Sequence, residues 1–235
     1  MSDGLRRSWR LFAAFRVEQT DPHRFYGLLA RDSSVLIGRH QRLDGAVLVD
    51  VGAGPAEFAD TFRGLGARYV AVDYDETVAS VAAGGVVADA HRLPLADGSV
   101  DVTFSSNLIE HVQDAAMVAD EMVRITRPGG TVFLSYTNWL SPWGGHETSP
   151  FHWISGRYAI ERYTRKHGHP PKNRLGENTF AVSVAWGVRW ATNHPDVEVL
   201  ELRPRYLPRW ARLLVRVPVL REFVTWNLLV ILRRR

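Results

Sequence analysis

The chain of 235 residues has no cysteine. That excludes disulfides, thiolate metal sites and cysteine nucleophiles, and it fits a reducing compartment such as the cytosol. Lysine is nearly missing too: only two of the 29 basic residues are lysine, a bias that folding does not require and that matches a GC-rich genome. Long apolar runs are missing as well. The longest candidate, residues 223–232, is ten residues ending in three arginines, half of the roughly 20 that span a bilayer, so it reads as a last buried strand. The first ten residues lack the apolar stretch of a secretory leader. What remains is ordinary globular composition, 46% apolar, in a chain long enough for one well-covered α/β domain with additions.

Charge is unevenly spread. Residues 201–235 hold nine arginines against Glu201 and Glu222, a surplus of seven in a chain of net charge +4, so residues 1–200 are net negative. Such an end suits an acidic partner, a membrane surface or nucleic acid, or forms a solvated arginine face, the preferred reading.

The spacing of Leu5, Trp9 and Phe12, with Phe15 less regular, predicts an amphipathic helix over 5–16. Asp21-Pro22 starts a second helix through Phe25, Leu28 and Leu29. These helices form an N-terminal cap over residues 1–42, ahead of a main domain at 43–235. Valine-rich runs at 46–51, 69–73, 85–88, 101–105 and 131–136 predict buried strands. They alternate with helices at 56–64, 75–83 and 112–126, the pattern of a doubly wound parallel α/β sheet. Arg127-Pro128-Gly129-Gly130 reads as a turn. Two further strands are expected at 197–202 and 226–232. Between them Trp210, Leu213, Leu214, Val217 and Leu220 fall on one helical face with Arg209, Arg212 and Arg216 opposite; Pro208 suits the first turn and Pro218 ends or kinks the helix.

The most informative segment is Val47-Leu-Val-Asp-Val-Gly-Ala-Gly-Pro-Ala-Glu57. A buried strand runs into a turn where Gly52 and Gly54 let the backbone bend sharply and a ligand approach closely. Asp50 before the turn repels a pyrophosphate and attracts a cation. Glu57 occupies the third-glycine position of the dinucleotide fingerprint, where it would crowd a phosphate at the helix N-terminus. Asp73 ends the second strand, 19 residues past Gly54, placed to accept ribose hydroxyls. Asp89-Ala90 ends the third, suited to the adenine edge. Three acids at three strand tips make a site for a cation-bearing adenosine, as in S-adenosylmethionine (SAM).

Five segments in order then resemble the class I SAM-dependent methyltransferases over roughly residues 43–137: Val49–Pro55, Val70–Asp73, Val87–Leu95, Phe104–Val112 and Arg127–Val132. The subtype resembles the branch of quinone and small-molecule enzymes. The tail elements Tyr136-Thr-Asn-Trp139, Gly145-His146-Glu147 and Lys166-His-Gly-His-Pro170 are similar to uncharacterised bacterial methyltransferases of GC-rich genomes. The resemblance implies a Rossmann-like, doubly wound sheet of seven strands, mostly parallel, with an antiparallel C-terminal strand. It implies that Asp50 and Gly52, with Ala53 and Gly54 of the turn, hold the methionine end. Asp73 with Tyr74 would take the ribose, Asp89 and Ala90 the adenine, and Ser106 and Asn107 would face the transferable methyl. Ala56 stands where the family often has a third glycine.

Methyl transfer to a hydroxyl profits from a base, and histidine is the natural residue. His111 and His146 are the candidates. Each has a plainer reading, His111 in a structural or capping role and His146 as an exposed loop residue beside two glycines. No ligand spacing points to a metal. Eight aromatics between Phe133 and Tyr163, including Trp139, Trp143, Phe151, Trp153 and Tyr158, mark an insertion at about 137–180 that either walls an acceptor pocket or forms a local core.

The chain is therefore expected to be a SAM-dependent methyltransferase of a small-molecule, glycan or lipid-linked acceptor, at oxygen, acting in the cytoplasm as a monomer or homodimer. The alternatives are a degenerate SAM-fold binding protein and a peripheral membrane enzyme using residues 5–16 and 208–222, although packing of those segments on the domain is preferred. Nucleic acid is disfavoured, because Phe104-Ser-Ser-Asn107 stands where base-modifying relatives carry Asn-Pro-Pro-Tyr and no basic recognition module follows.

Overall fold

A computed structural model describes residues 3–15, 21–76 and 84–235; beyond its first two residues, the helix expected over 75–83 lies outside them. Among the described residues, seven strands form one sheet in the order β3-β2-β1-β4-β5-β7-β6. They are β1 Val47–Val51, β2 Arg68–Asp73, β3 Val86–Val87, β4 Val100–Ser106, β5 Thr126–Thr137, β6 Val197–Pro204 and β7 Asn227–Arg234. The first five run parallel, and β7 is antiparallel to both of its neighbours, β5 and β6. The helices are α1 Asp3–Phe15, α2 Pro22–Ile37, α3 Ala59–Gly64, α4 Ala115–Ile125, α5 Gly156–His167, α6 Val184–Asn193 and α7 Leu220–Val224.

Successive strand residues point to opposite faces, and here both faces are covered. Leu48, Phe104 and Phe133 pack with Phe58 and Phe62 beneath α1, α2 and α3. Val49, Val51, Val132 and Leu134 pack with Val118 and Met122 of α4 on the other face. Of the apolar run at 223–232, too short for a membrane, residues 227–232 lie in β7 and are fully buried, while Phe223 and Val224 end α7. Side-chain caps fix where helices begin: Asp114 accepts from the Met117 amide, Ser155 from Tyr158 and Ser183 from Trp186. Because β1 neighbours both β2 and β4, the chain leaves it in opposite directions, and a crevice opens beyond the carboxyl ends of these strands.

Three expectations are corrected. The helix expected from residue 56 begins at Ala59, because Ala56 takes a left-handed φ of 55° and extends the turn through Phe58. The Arg127–Gly130 turn lies within the span of β5: Val100 pairs with Thr126 and Val102 with Thr131, so residues 127–130 bulge out of the ladder. The single helix expected over 208–222 is a 3₁₀ segment, Arg209–Arg216, followed by the short α7, with Pro218 between them. Its buried residues are Ala211 and Val215, while Trp210, Leu213, Val217 and Leu220 face solvent.

Candidate active site

The glycine turn closes on β2. The amides of Gly52 and Ala53 donate to the Val72 carbonyl at 2.8 and 3.1 Å, and the Gly54 amide donates to Asp73 Oδ2 at 2.9 Å. Gly52 has φ of 71°, and a Cβ there would lie 2.7 Å from Leu108 Cδ1, so only glycine fits between the turn and the segment after β4. A cleft of about 570 Å³ opens on this turn, lined by Gly52, Asp73, Tyr74, Asp89, Ala90 and His111 among others. Asp89 accepts from the His91 amide at 2.9 Å and pairs with its Nδ1 at 2.6 Å. Those bonds hold its carboxyl below the usual range, so this tip acid is anionic at neutral pH. Acid at two adjacent strand tips, beside a turn built on Gly52 and Gly54, suits a cationic adenosine compound.

Asp50 is not on the cleft wall. It is buried beneath the turn, where the Tyr69 hydroxyl donates to Oδ2 at 2.5 Å. Burial pushes its carboxyl up to about 7. The direct contact expected with the methionine end is therefore corrected to support of the turn from below. The physical reason is strand alternation: Asp50 shares a face with Leu48 and pairs across the sheet with Ala71 and Phe104. Its energetics give a testable expectation. The unfolded chain releases this proton near the ordinary 3.8 and the folded chain near 7, so Asp50 favours the fold at low pH and costs stability as pH rises between those values. An asparagine side chain would mimic the protonated acid, so Asp50→Asn should stabilise progressively from pH 4 to 8, by up to roughly 4 kcal/mol at the upper end. Urea unfolding of both proteins across that range measures it; a constant difference contradicts it. His146 acts in the opposite sense, losing stability as pH falls from 6.5 toward 4, but it is common to both proteins and cancels.

A second cavity, of about 410 Å³, lies beside the first. Phe12 and Phe15 of α1, Phe25 and Tyr26 of α2, Trp143, Tyr206 and Trp226 give it aromatic walls, and Asn107, Glu110, His111, His146, Glu147 and Lys172 give it a polar end. His111 lines both cavities. Its Nδ1 lies 2.8 Å from the Asn178 carbonyl, to which it must donate, leaving Nε2 as the acceptor. The His146 ring centroid is 5.2 Å away. His146 has φ of 48°, a conformation costing roughly 1 kcal/mol for a residue with a side chain. Burial lowers its imidazole to about 4, so it is neutral, and its buried Nε2 has no partner.

The loop reading of His146 thus gives way to a half-buried one, and the signal was the glycine pair before it. A Cβ on Gly144 would stand 1.9 Å from the Trp139 carbonyl oxygen, and one on Gly145 2.4 Å from the His152 ring. These glycines let the chain fold back tightly enough to turn His146 inward. Gly144→Ala should cost roughly 3 kcal/mol of unfolding free energy in urea; an unchanged midpoint would show that the backbone yields freely there.

Only Trp143 of the eight insertion aromatics reaches the chamber wall. Phe133 and Tyr136 are core, while Trp153 and Tyr158 are largely exposed. Other features were not legible in sequence. Glu110 is buried and accepts from the Thr137 amide at 3.0 Å, with its other oxygen unpartnered, and burial raises its carboxyl. Arg205 is fully buried, its guanidinium donating to Ser106 (2.8 Å), Ser135 (2.5 Å) and Ser33 (2.7 Å). Ser106, expected to face the methyl, is thus turned to Arg205. Asn107 does line the chamber, with φ of 62° and its Oδ1 accepting from Asn227 at 2.8 Å. Among the described residues no group of three or more His, Asp or Glu side chains could hold a metal.

Residues 49–134 match the model of a methyltransferase domain. Over 243 residues the chain is 47% identical to an uncharacterized methyltransferase of Mycolicibacterium gilvum, covering 97% of this chain and 94% of that one. A counterpart in Mycobacterium tuberculosis is 46% identical over 242 residues, with the same coverage. Among solved structures, a SAM-dependent methyltransferase from Mesorhizobium loti superposes with a TM-score of 0.59 at 17% identity, over 86% of this chain and 98% of that one. That likeness speaks for the fold.

Proposed function

This chain belongs to the SAM-dependent methyltransferases of class I, and from that premise we propose that it methylates a hydroxyl on an amphiphilic small molecule, with His111 as the base. The observation that carries this is the position of His111, shared by the cofactor cleft and the aromatic chamber. An acceptor whose apolar body fills the chamber presents its polar end where the two cavities meet.

SAM supplies the methyl on a sulfonium whose leaving group is a neutral thioether. In the proposed arrangement Asp73 holds the ribose hydroxyls, Asp89 and Ala90 border the adenine with the exposed Tyr74 ring at the mouth, and Gly52 and Gly54 leave room for the amino-acid end. The protein's part is then alignment and exclusion of water, in line with a displacement that needs little else. His111 Nε2 accepts the hydroxyl proton as oxygen attacks, its imidazole held in the right tautomer by the Asn178 carbonyl. The neutral His146 and Asn107 orient the hydroxyl from the chamber side. The aromatic walls favour rings or hydrocarbon chains, since flat faces bury large area at little entropy cost.

Transfer of labelled methyl from SAM to matched panels of hydroxyl-bearing and amine-bearing amphiphiles tests this reading. Label on alcohols or phenols is expected; label confined to amines would overturn the oxygen assignment.

A further inference from the structure

One broad surface is not used by the site just described. On α1, Leu11 and Ala14 are buried, whereas Trp9 is 68% exposed, with Leu5 beside it. The segment after β6 behaves alike: Trp210 is 65% exposed, and Leu213, Val217, Leu220 and Phe223 also face outward. The two elements adjoin, because Arg7 Nη2 donates to the Arg205 carbonyl at 3.0 Å and a Cβ on Gly4 would sit 3.8 Å from Pro208. The crest also runs into the chamber wall. Trp9 packs on Phe12 with ring centroids 6.4 Å apart, and Phe12 on Trp226 at 5.8 Å.

Its charge is strongly one-sided. Residues 3–15 and 205–221 contain eight arginines against one acid, Asp3. Arg7 pairs with Asp32, Arg221 with Glu222, and Arg205 is internal. Arg209 feels the charge of Glu201 at longer range. Among the described residues no carboxylate lies within ion-pair distance of Arg6, Arg10, Arg212 or Arg216. Glu222, the next acid along, turns inward to the Val184 and Ala185 amides. A second copy of the chain meeting this face about a two-fold axis would set arginine against arginine. Exposed tryptophans among such arginines instead complement the phosphates and the hydrocarbon boundary of an anionic bilayer.

We propose that the face formed by α1 and residues 209–223 docks on an anionic membrane surface, and that the chamber beside it draws its acceptor from that bilayer. The second clause rests on the methyl-transfer reading; the first does not. No helix among the described residues is long and apolar enough to cross a membrane, so the contact is interfacial.

Flotation of the full chain with vesicles of phosphatidylcholine plus phosphatidylglycerol, against phosphatidylcholine alone, tests the docking. The protein is expected to float with the anionic vesicles and to be released by salt. Combining Trp210→Ser with Arg212→Gln and Arg216→Gln should lower binding roughly tenfold or more, with SAM titration unchanged as the control for folding. Equal recovery on neutral vesicles, flotation unaffected by the triple substitution, or a stable dimer in solution that the substitutions dissociate would each overturn it. Flotation without methyl transfer to any acceptor would support the docking and count against the reading of the site instead.

Discussion

His111→Gln should lower the methyl-transfer rate by about 10²–10⁴-fold, the usual contribution of a positioned base, and should leave SAM affinity within a few-fold of the original. The separation of the two effects follows from where the residue stands. It borders the cofactor cleft, but in the proposed arrangement Asp73, Asp89 and the glycine turn hold the cofactor, and its Nδ1 is committed to Asn178. Glutamine keeps a similar reach and can still donate to that carbonyl, so the insertion remains pinned while the proton acceptor is lost. A His111→Gln enzyme with wild-type turnover would assign the proton to another group or to solvent. His146→Gln should have the milder effect, since an imidazole held neutral down to about pH 4 is a weak base.

Asp73→Ala should weaken SAM binding by about 100-fold or more, measured by isothermal titration. Two hydrogen bonds from ribose hydroxyls to a carboxylate contribute about 1.5–3 kcal/mol each, and the alanine loses both. It also frees the Gly54 amide, which the carboxylate fixes at 2.9 Å, so the turn is less well prepared for its ligand. Asp73→Asn separates the two effects: it can still accept from Gly54 but carries no charge, and it should fall between wild type and alanine. The thermal unfolding temperature of the free alanine variant should also fall modestly, because the Gly54 and Asp75 amides lose their acceptor. An unchanged dissociation constant in Asp73→Ala would place the ribose elsewhere.

The sheet was legible because buried strands alternate with helices in a pattern that local sequence carries. The convergence of Asp73, Asp89 and the glycine turn on one cleft was legible for the same reason: each stands at or just past the end of a strand, and strand ends converge in this topology. Asp50 shows where such reading stops. Its place in the segment is right, but its role depends on Tyr69, which lies 19 residues on and meets it from the neighbouring strand β2. The acceptor chamber was harder still. The insertion attracted attention through its aromatic density, yet six of the seven aromatic rings lining the chamber come from α1 and α2 near one end of the chain and from Tyr206 and Trp226 near the other, and only the fold brings them together. Arg205 had no local signal at all among nine arginines of the C-terminal stretch; what distinguishes it is three serines on three distant elements. The helix expected over 5–16 is α1, whereas residues 208–222 form a 3₁₀ segment and α7 instead of one helix; both segments bury part of their apolar side chains on the domain, through Leu11, Ala14, Ala211 and Val215, and leave Trp9 and Trp210 exposed.

The decisive measurement is a crystal structure with S-adenosylhomocysteine bound, because every role proposed for the site depends on one ligand orientation. The ribose hydroxyls are expected on Asp73, the adenine beside Asp89 and Ala90, and the sulfur directed at the junction where His111 meets the aromatic chamber. A sulfur turned away from that chamber, or a ribose remote from Asp73, would contradict the proposed chemistry.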